Sequence, residues 1–169
     1  MTSVIVDCVA ESPLWEALPD AEAVVARACA AAVAGGRTKL LPEVEVAVLL
    51  ADDAHVRRVN AEWRGLDKPT NVLSFPAAEP ARIGSSPMLG DLILAFETCA
   101  REAENDGKAL CDHLAHLVVH GVLHLLGHDH MTDAEAESME GLEVEVLASL
   151  GVPDPYRDFE LDAGSTGKT

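Results

Sequence analysis

One segment constrains the fold more than any other: residues 110–126 have the apolar content of a buried helix but also carry four histidines. These histidines follow one another at steps of three, four and four residues, so they form one stripe along a helix: His113, His116, His120 and His124. Neutral imidazoles in an apolar wall are costly unless they have partners. A metal ion would satisfy several of them at once.

Three histidines near the end of this segment have the spacing of a metal site. His120 and His124 lie one helical turn apart and can both direct a ring nitrogen at one point, about 2.0–2.1 Å from a zinc ion. Gly127 permits a left-handed conformation that reverses the chain, and the reversal returns His130 as a third ligand. The pattern H-x-x-x-H-x-x-G-x-x-H therefore predicts one transition-metal ion, zinc, with a fourth position open to water as in catalytic sites.

The residue after the first ligand separates this pattern from that of the metalloproteases. Proteases with this spacing have glutamate there, which activates the zinc-bound water as a general base. This chain has Gly121, so peptide hydrolysis by that route is disfavoured. The alternative to a metal site is a set of histidines that bind nothing, and the joint spacing of three histidines and the glycine weighs against it.

Other polar residues of the segment have less certain roles on sequence alone. His113, at the open end of the helix, is expected to be solvated. His116 and His128 are each compatible with bonding to a ligand residue, with contacting a substrate, or with no role. Asp129 is a candidate to orient a ligand through a carboxylate–imidazole hydrogen bond.

Strand and helix patterns alternate along the chain. Alternating and β-branched runs predict strands at 4–6, 44–50, 72–75 and 92–94. Capping residues and helical periodicity predict helices at 20–36, 53–65, 96–105 and 110–126, and a last helix opening on a capping box of Thr132 and Glu135. Residues 76–87, with three prolines, are expected to form an exposed loop. The order predicts an α/β (α+β) fold: a mixed sheet of about four strands, about five helices, and the zinc site at the end of a central buried helix.

Length and composition predict one domain. The chain has 169 residues, of which 49% are hydrophobic, as in ordinary globular proteins. Residues 1–153 are predicted to form a single metal-dependent hydrolase domain, and residues 154–169 a polar, disordered tail.

Three features predict a cytoplasmic protein without a membrane partner. No run of about 20 apolar residues could span a bilayer. Residues 1–20 lack the Lys or Arg that a secretory or transit peptide carries. The cysteines include no C-x-x-C pair and are predicted to be buried thiols rather than disulfides: Cys8, Cys29, Cys99 and Cys111.

Several segments together resemble a known family. They are H-G-V-L-H-L-L-G-H-D-H at 120–130, N-A-E-W-R at 60–64, D-K-P-T at 67–70, V-L-S-F-P at 72–76 and L-G-D at 89–91. In this order they closely resemble the YbeY family, bacterial metal-dependent endoribonucleases that act as rRNA maturation factors. The resemblance covers about residues 44–150. One departure is Asn71, where the family usually has aspartate.

The resemblance implies a single-strand-directed, zinc-dependent endoribonuclease that matures the 3′ end of the small-subunit rRNA and supports ribosome quality control. In the family the histidines matching His120, His124 and His130 hold the zinc, and the arginine matching Arg64 points into the same cleft. A guanidinium there can stabilise charge on a phosphate, although on spacing alone Arg64 also fits a charge favoured at a helix C-terminus. The implied partners are single-stranded RNA, rRNA, and ribosomal or ribosome-associated proteins.

The charge balance limits how RNA can be bound. The chain has 29 acidic and 12 basic residues, a formal net charge of −17, which repels polyanions. The basic residues available for RNA are Arg57, Arg58, Arg64, Lys68 and Arg82. Weak RNA binding with few phosphate contacts is therefore expected, with targeting by a partner. Two alternatives stay open: a non-catalytic, zinc-stabilised ribosome-assembly factor, and a zinc hydrolase acting on another substrate.

Overall fold

Four strands form one mixed sheet in the computed structural model, which describes residues 2–156. The strands are β1 (Ser3–Ala10), β2 (Glu43–Ala51), β3 (Val72–Pro76) and β4 (Met88–Ala95). Their order across the sheet is β1-β2-β4-β3; β1, β2 and β4 run parallel, and β3 runs antiparallel to β4. β3 is therefore an edge strand. The predicted mixed sheet of four strands is confirmed.

Within residues 2–156, five α-helices interleave with the strands, as the sequence predicted. They are α1 (Ala21–Gly35), α2 (Asp53–Arg64), α3 (Phe96–Asn105), α4 (Leu110–Leu125) and α5 (Asp133–Ser149). Short 3-10 helices add Pro13–Ala17 and Pro80–Ser85. Two predicted caps are present: the Asp52 carboxylate accepts a hydrogen bond from the His55 amide, and Thr132 and Glu135 form the capping box of α5.

The core lies between the sheet and α1, α4 and α5. In β2 the alternating residues Val44, Val46, Val48 and Leu50 are all buried, which is the face that the period of two predicted. Helix α4 packs against β3, β4 and α1, so it is the central buried helix of the prediction. It is followed by Gly127 at φ +97°, the left-handed position at which the chain reverses.

One element differs from its prediction. Residues 76–87 are not simply an exposed loop, because Pro80–Ser85 forms a 3-10 helix and Ile83 is only 5% exposed within the main core. Ile83 lies beside the turn at Gly127. The proline and glycine content indicated a break in regular structure, but it could not show that one apolar side chain in the break enters the core.

The ends of the chain and its cysteines bear on two further expectations. Of the predicted tail, residues 154–156 are described, and the Tyr156 ring packs edge-on against His116 of α4; residues 157–169 lie outside the described residues. Cys29 and Cys99 are buried and Cys8 and Cys111 half-buried, all as free thiols. Burial raises the pKa of Cys29 to about 12.

Across residues 2–156, every helix is too short or too polar to cross a bilayer.

Candidate metal centre

The predicted ligands lie together where α4 ends. His120 and His124 are on the last two turns of α4, and His130 follows the reversal at Gly127. Each offers one ring nitrogen, and the three nitrogens lie within 4.8 Å of one another. The geometry can accept a metal ion between them.

Hydrogen bonds on the far side of two rings leave the correct nitrogens free. The Nδ1–H of His120 donates to Glu143 Oε2 at 2.7 Å, and the Nδ1–H of His124 donates to the His128 carbonyl oxygen at 3.1 Å. Each ring therefore keeps a lone pair on Nε2. The two Nε2 atoms are 3.1 Å apart, close to the spacing of about 3.4 Å between ligands that are each 2.0–2.1 Å from one tetrahedral zinc.

The surroundings of His124 lower its pKa and so favour its neutral imidazole. Burial lowers the pKa of His124, and the neighbouring His120 and His130 lower it further. Because a metal binds only the neutral ring, this shift favours the ligating form of His124 at neutral pH.

His130 completes the cluster from its solvent side. Its ring stacks on His120 with centroids 5.8 Å apart and an interplanar angle of 23°, and its centroid is 5.0 Å from that of His124. The Asp129 carboxylate accepts a hydrogen bond from the His130 backbone N–H at 2.8 Å. Asp129 therefore shapes the turn, and its bond in this structure is to an amide rather than to a ligand imidazole.

A fully buried carboxylate supports the site, and sequence reasoning missed it. Glu143 on α5 accepts hydrogen bonds from His120 (2.7 Å), His116 (2.8 Å) and the Tyr156 hydroxyl (2.6 Å). Burial would raise the pKa of Glu143, but the bonds from His116 and His120 outweigh burial and lower it to about 2. The available signal was an acidic residue within the apolar stripe of α5, beside Met139, Leu142 and Val146.

Tyr156 and His116 form the second half of this network. The Tyr156 ring meets the His116 ring edge-on at 5.7 Å. Burial raises the pKa of Tyr156, and its bond to Glu143 raises it further, so the phenol stays a neutral donor. His116, whose role the sequence left open, bonds to Glu143 and lines the same cleft as the three ligand histidines.

His113 is buried, which corrects the expectation that it is solvated. It is 5% exposed, and its Nε2 bonds to Glu102 Oε1 on α3 at 2.9 Å. Burial lowers the pKa of His113, although the nearby Glu102 carboxylate opposes that shift. Position at the start of α4 suggested solvent, but α3 packs across that end of the helix. The same Glu102 oxygen accepts a hydrogen bond from Asn71 Nδ2 at 3.0 Å.

His128, also left open by the sequence, ties two elements together. Its Nε2–H donates to the Gly36 carbonyl oxygen at 2.7 Å. The bond fixes the turn after α4 to the end of α1, and the His128 carbonyl in turn holds the ring of His124.

The cluster opens into a cleft of about 470 Å³ that also contains Arg64. The Nη2 of Arg64 donates to the Ser74 carbonyl oxygen on β3 at 3.3 Å, and its guanidinium lies 5.8 Å from the Phe75 ring centroid. Among the cleft-lining residues that the structure describes, Arg64 is the only Lys or Arg. Arg57, another candidate, is instead paired with Asp67 at 2.8 Å.

Gly121 occupies a position where the helix touches the sheet. It is buried, and a Cβ there would come within 2.7 Å of the Leu92 side chain on β4. A glutamate at 121 would meet the same obstacle. Gly121, which stands where metalloproteases have their glutamate base, therefore also permits the close approach of α4 to β4.

A larger groove, of about 660 Å³, lies on the other face of the sheet and is lined largely by apolar residues such as Val9, Leu49 and Trp63. None of the three ligand histidines lines it. The smaller cleft is therefore the candidate site, because it combines titratable groups, the possible metal ligands and a cation.

Comparison with known proteins places the chain among bacterial relatives of one kind. The family model described as Endoribonuclease YbeY matches residues 18–151. A protein of Bradyrhizobium diazoefficiens named Endoribonuclease YbeY is 52% identical over 164 residues, covering 94% of this chain and 86% of the relative. A protein of the same name from Paramagnetospirillum magneticum is 56% identical over 151 residues, covering 85% of this chain and 90% of the relative. The solution structure of TM1509 from Thermotoga maritima is 22% identical, covers 98% of this chain and 100% of its own, and has a TM-score of 0.48.

Proposed function

Because the chain belongs to the Endoribonuclease YbeY family, we propose that it is a metal-dependent endoribonuclease that cleaves single-stranded RNA. The observation that carries the proposal is the cleft itself: three imidazole nitrogens converge within 4.8 Å, and an arginine lines the same cavity. His120, His124 and His130 are the proposed ligands of one ion per chain. Zinc is the proposed ion, because three imidazoles with an open side suit a catalytic zinc site.

The proposed division of work follows from the contacts. The metal would supply Lewis-acid polarisation of a phosphoryl oxygen. Arg64 binds the phosphate through its guanidinium and stabilises the charge that develops during cleavage. The weak bond to the Ser74 carbonyl, at 3.3 Å, is easily given up for a charge-assisted bond to a phosphate. Arg64 is therefore the proposed catalytic residue.

The proposed biological role is maturation of the 3′ end of small-subunit rRNA and ribosome quality control in the cytoplasm. One cleft cation and a net charge of −17 give the protein little affinity for RNA by itself. A ribosomal or ribosome-associated protein is therefore the proposed means of bringing rRNA to the cleft.

The test combines metal content with cleavage of a single-stranded RNA. We expect His124→Ala to lose its zinc and its cleavage, and Arg64→Ala to keep its zinc but lose cleavage. Arg58→Ala is the matched control for Arg64, because Arg58 is an exposed residue of the same helix. His55→Ala controls for the loss of a histidine elsewhere.

Two other functions give different results in the same experiment. Purified wild-type protein with one equivalent of zinc and no cleavage of any RNA would favour the non-catalytic assembly factor. Zinc-dependent hydrolysis of another substrate would favour a different hydrolase. Peptides are disfavoured as that substrate, because Gly121 occupies the position of the protease's general base and has no side chain that could act as one.

A further inference from the structure

Glu143 is one of the most deeply buried charged groups in the described chain, at 0% exposure. An ionised carboxylate taken out of water is costly unless donors replace its hydration. All the donors to Glu143 are side chains at the candidate metal site or next to it: His116, His120 and Tyr156. The carboxylate is thus placed where its bonds affect the ligands.

Its two oxygens are used differently. Oε2 accepts from His120 Nδ1, whereas Oε1 accepts from both His116 Nε2 and the Tyr156 hydroxyl. The ligand His120 therefore has an oxygen of its own, and the other oxygen is shared between residues outside the triad.

The bond to Oε2 decides which nitrogen of His120 can bind a metal. A carboxylate oxygen can only accept, so Nδ1 of His120 must carry a proton, and the neutral ring then keeps its lone pair on Nε2. Nε2 is the atom that faces His124 Nε2 at 3.1 Å. We propose that Glu143 is a positioning residue of the metal site, which fixes His120 in its ligating tautomer through Oε2 and holds His116 beside it through Oε1.

This inference rests on the proposed metal site, but it concerns a different residue and a different property. A glutamine at 143 has one accepting oxygen and one donating NH₂ group. If the NH₂ faces His120, the ring must take the tautomer with a proton on Nε2, which blocks ligation. If the oxygen faces His120, His116 must carry its proton on Nδ1, an atom that is buried without a partner. Either arrangement weakens the site.

The first experiment measures Zn²⁺ affinity by competition with a chromophoric chelator. We expect Glu143→Gln to bind zinc about 10–100-fold more weakly than wild type and Glu143→Asp to recover part of the loss. Glu137→Gln makes the same change at an exposed position of the same helix and is expected to leave affinity unchanged. Tyr156→Phe removes a donor from Oε1 only, so its effect should be smaller than that of Glu143→Gln. Equal zinc affinity in Glu143→Gln and wild type would overturn the inference.

The second experiment reads the tautomer directly and needs no metal. Long-range ¹H–¹⁵N NMR of metal-free wild type should show the His120 proton on Nδ1, and Glu143→Gln should shift the population toward Nε2–H. A metal-free wild type in which His120 is protonated on Nε2 would overturn the inference. Because this result comes from wild-type protein, it can be obtained even if Glu143→Gln fails to fold. If wild type binds no metal, both the proposed metal site and the positioning role of Glu143 fail, whereas a Glu143→Gln variant that binds zinc as tightly as wild type overturns only the inference.

Discussion

Gly121 on α4 lies directly against Leu92 on β4, so that a methyl group at position 121 would come within 2.7 Å of the leucine Cδ2 atom. Leu92 is 1% exposed, so it can move only by displacing its neighbours in the closely packed core. The helix that carries His120 and His124 therefore lies so near the sheet that any Cβ at position 121 would require Leu92 to shift.

We expect Gly121→Ala to lower the free energy of unfolding by about 1–3 kcal/mol, because overpacking forces α4 or Leu92 to move. Gly141→Ala is the matched control, since a Cβ there meets nothing within 4 Å in the exposed middle of α5. Gly141→Ala should raise the free energy of unfolding by about 0.5–1 kcal/mol, because alanine has a higher helix propensity than glycine. Urea unfolding of metal-free protein measures both. Similar gains in stability for the two variants would show that α4 does not press on Leu92.

His113 gives a pH dependence of stability that can be worked out from its burial. Burial holds the folded-state pKa of His113 below its ordinary value of about 6.5, so the unfolded chain binds a proton first as pH falls. The stabilising contribution of neutral His113 is therefore complete above about pH 6.5 and is lost progressively as pH falls from that value through the lower folded-state pKa. Unfolding free energies of metal-free protein at pH 8, 7, 6 and 5 should decline accordingly.

His113→Gln isolates this contribution, because glutamine can keep a donor toward Glu102 but does not titrate. We expect the variant to show a shallower decline between pH 7 and pH 5 than wild type. Parallel curves for the two proteins would mean that another group accounts for the loss.

Asn71 sits where an aspartate would meet a second carboxylate. Its Nδ2 donates to Glu102 Oε1 at 3.0 Å; aspartate would replace that donor with a like charge. We expect Asn71→Asp to be less stable than wild type by about 1 kcal/mol at pH 8. The deficit should shrink as pH falls, because two carboxyl groups that share a site raise the pKa of one of them. A deficit that is the same at pH 8 and pH 5 would contradict the contact with Glu102.

The salt dependence of RNA binding tests the proposed small number of phosphate contacts. For a single strand, the slope of log K against log salt is about −0.7 per phosphate contact. We expect a slope well shallower than about −4, the value for six contacts. Arg64→Ala should make the slope shallower by about 0.7, and Arg27→Ala, which removes an exposed arginine of α1 outside the cleft, should leave it unchanged. A wild-type slope of about −4 or steeper would imply six or more phosphate contacts, and the protein would then bind RNA through a surface outside this cleft.

The convergence of the three histidines could be predicted because its geometry is local. His120 and His124 are one turn apart on a helix, and the reversal at Gly127 brings His130 back within a few residues. Such spacings translate directly into distances. The same applies to the caps of α2 and α5 and to the alternation of β2, each of which involves neighbours in sequence.

The rest of the site depends on packing between distant segments. Glu143 is 23 residues from His120, and Tyr156 is 40 residues from His116, so no short pattern joins them. His113 was expected in solvent because nothing in α4 indicates that α3 covers it. Ile83 could not be recognised as a core residue either, because nothing in its proline-rich segment indicates which distant residues cover it. A buried acidic residue in an apolar stripe was the one sequence signal that could have revealed Glu143.

Arg64 covers a backbone carbonyl group at the edge of the sheet. It donates to the Ser74 carbonyl on β3, and β3 is an edge of the sheet, where exposed backbone groups can pair with a strand from a neighbouring molecule. A long cationic side chain lying across such an edge obstructs that pairing. We therefore expect the Arg64 guanidinium to hinder strand pairing at this edge, so that Arg64→Ala aggregates sooner at high concentration than Arg58→Ala.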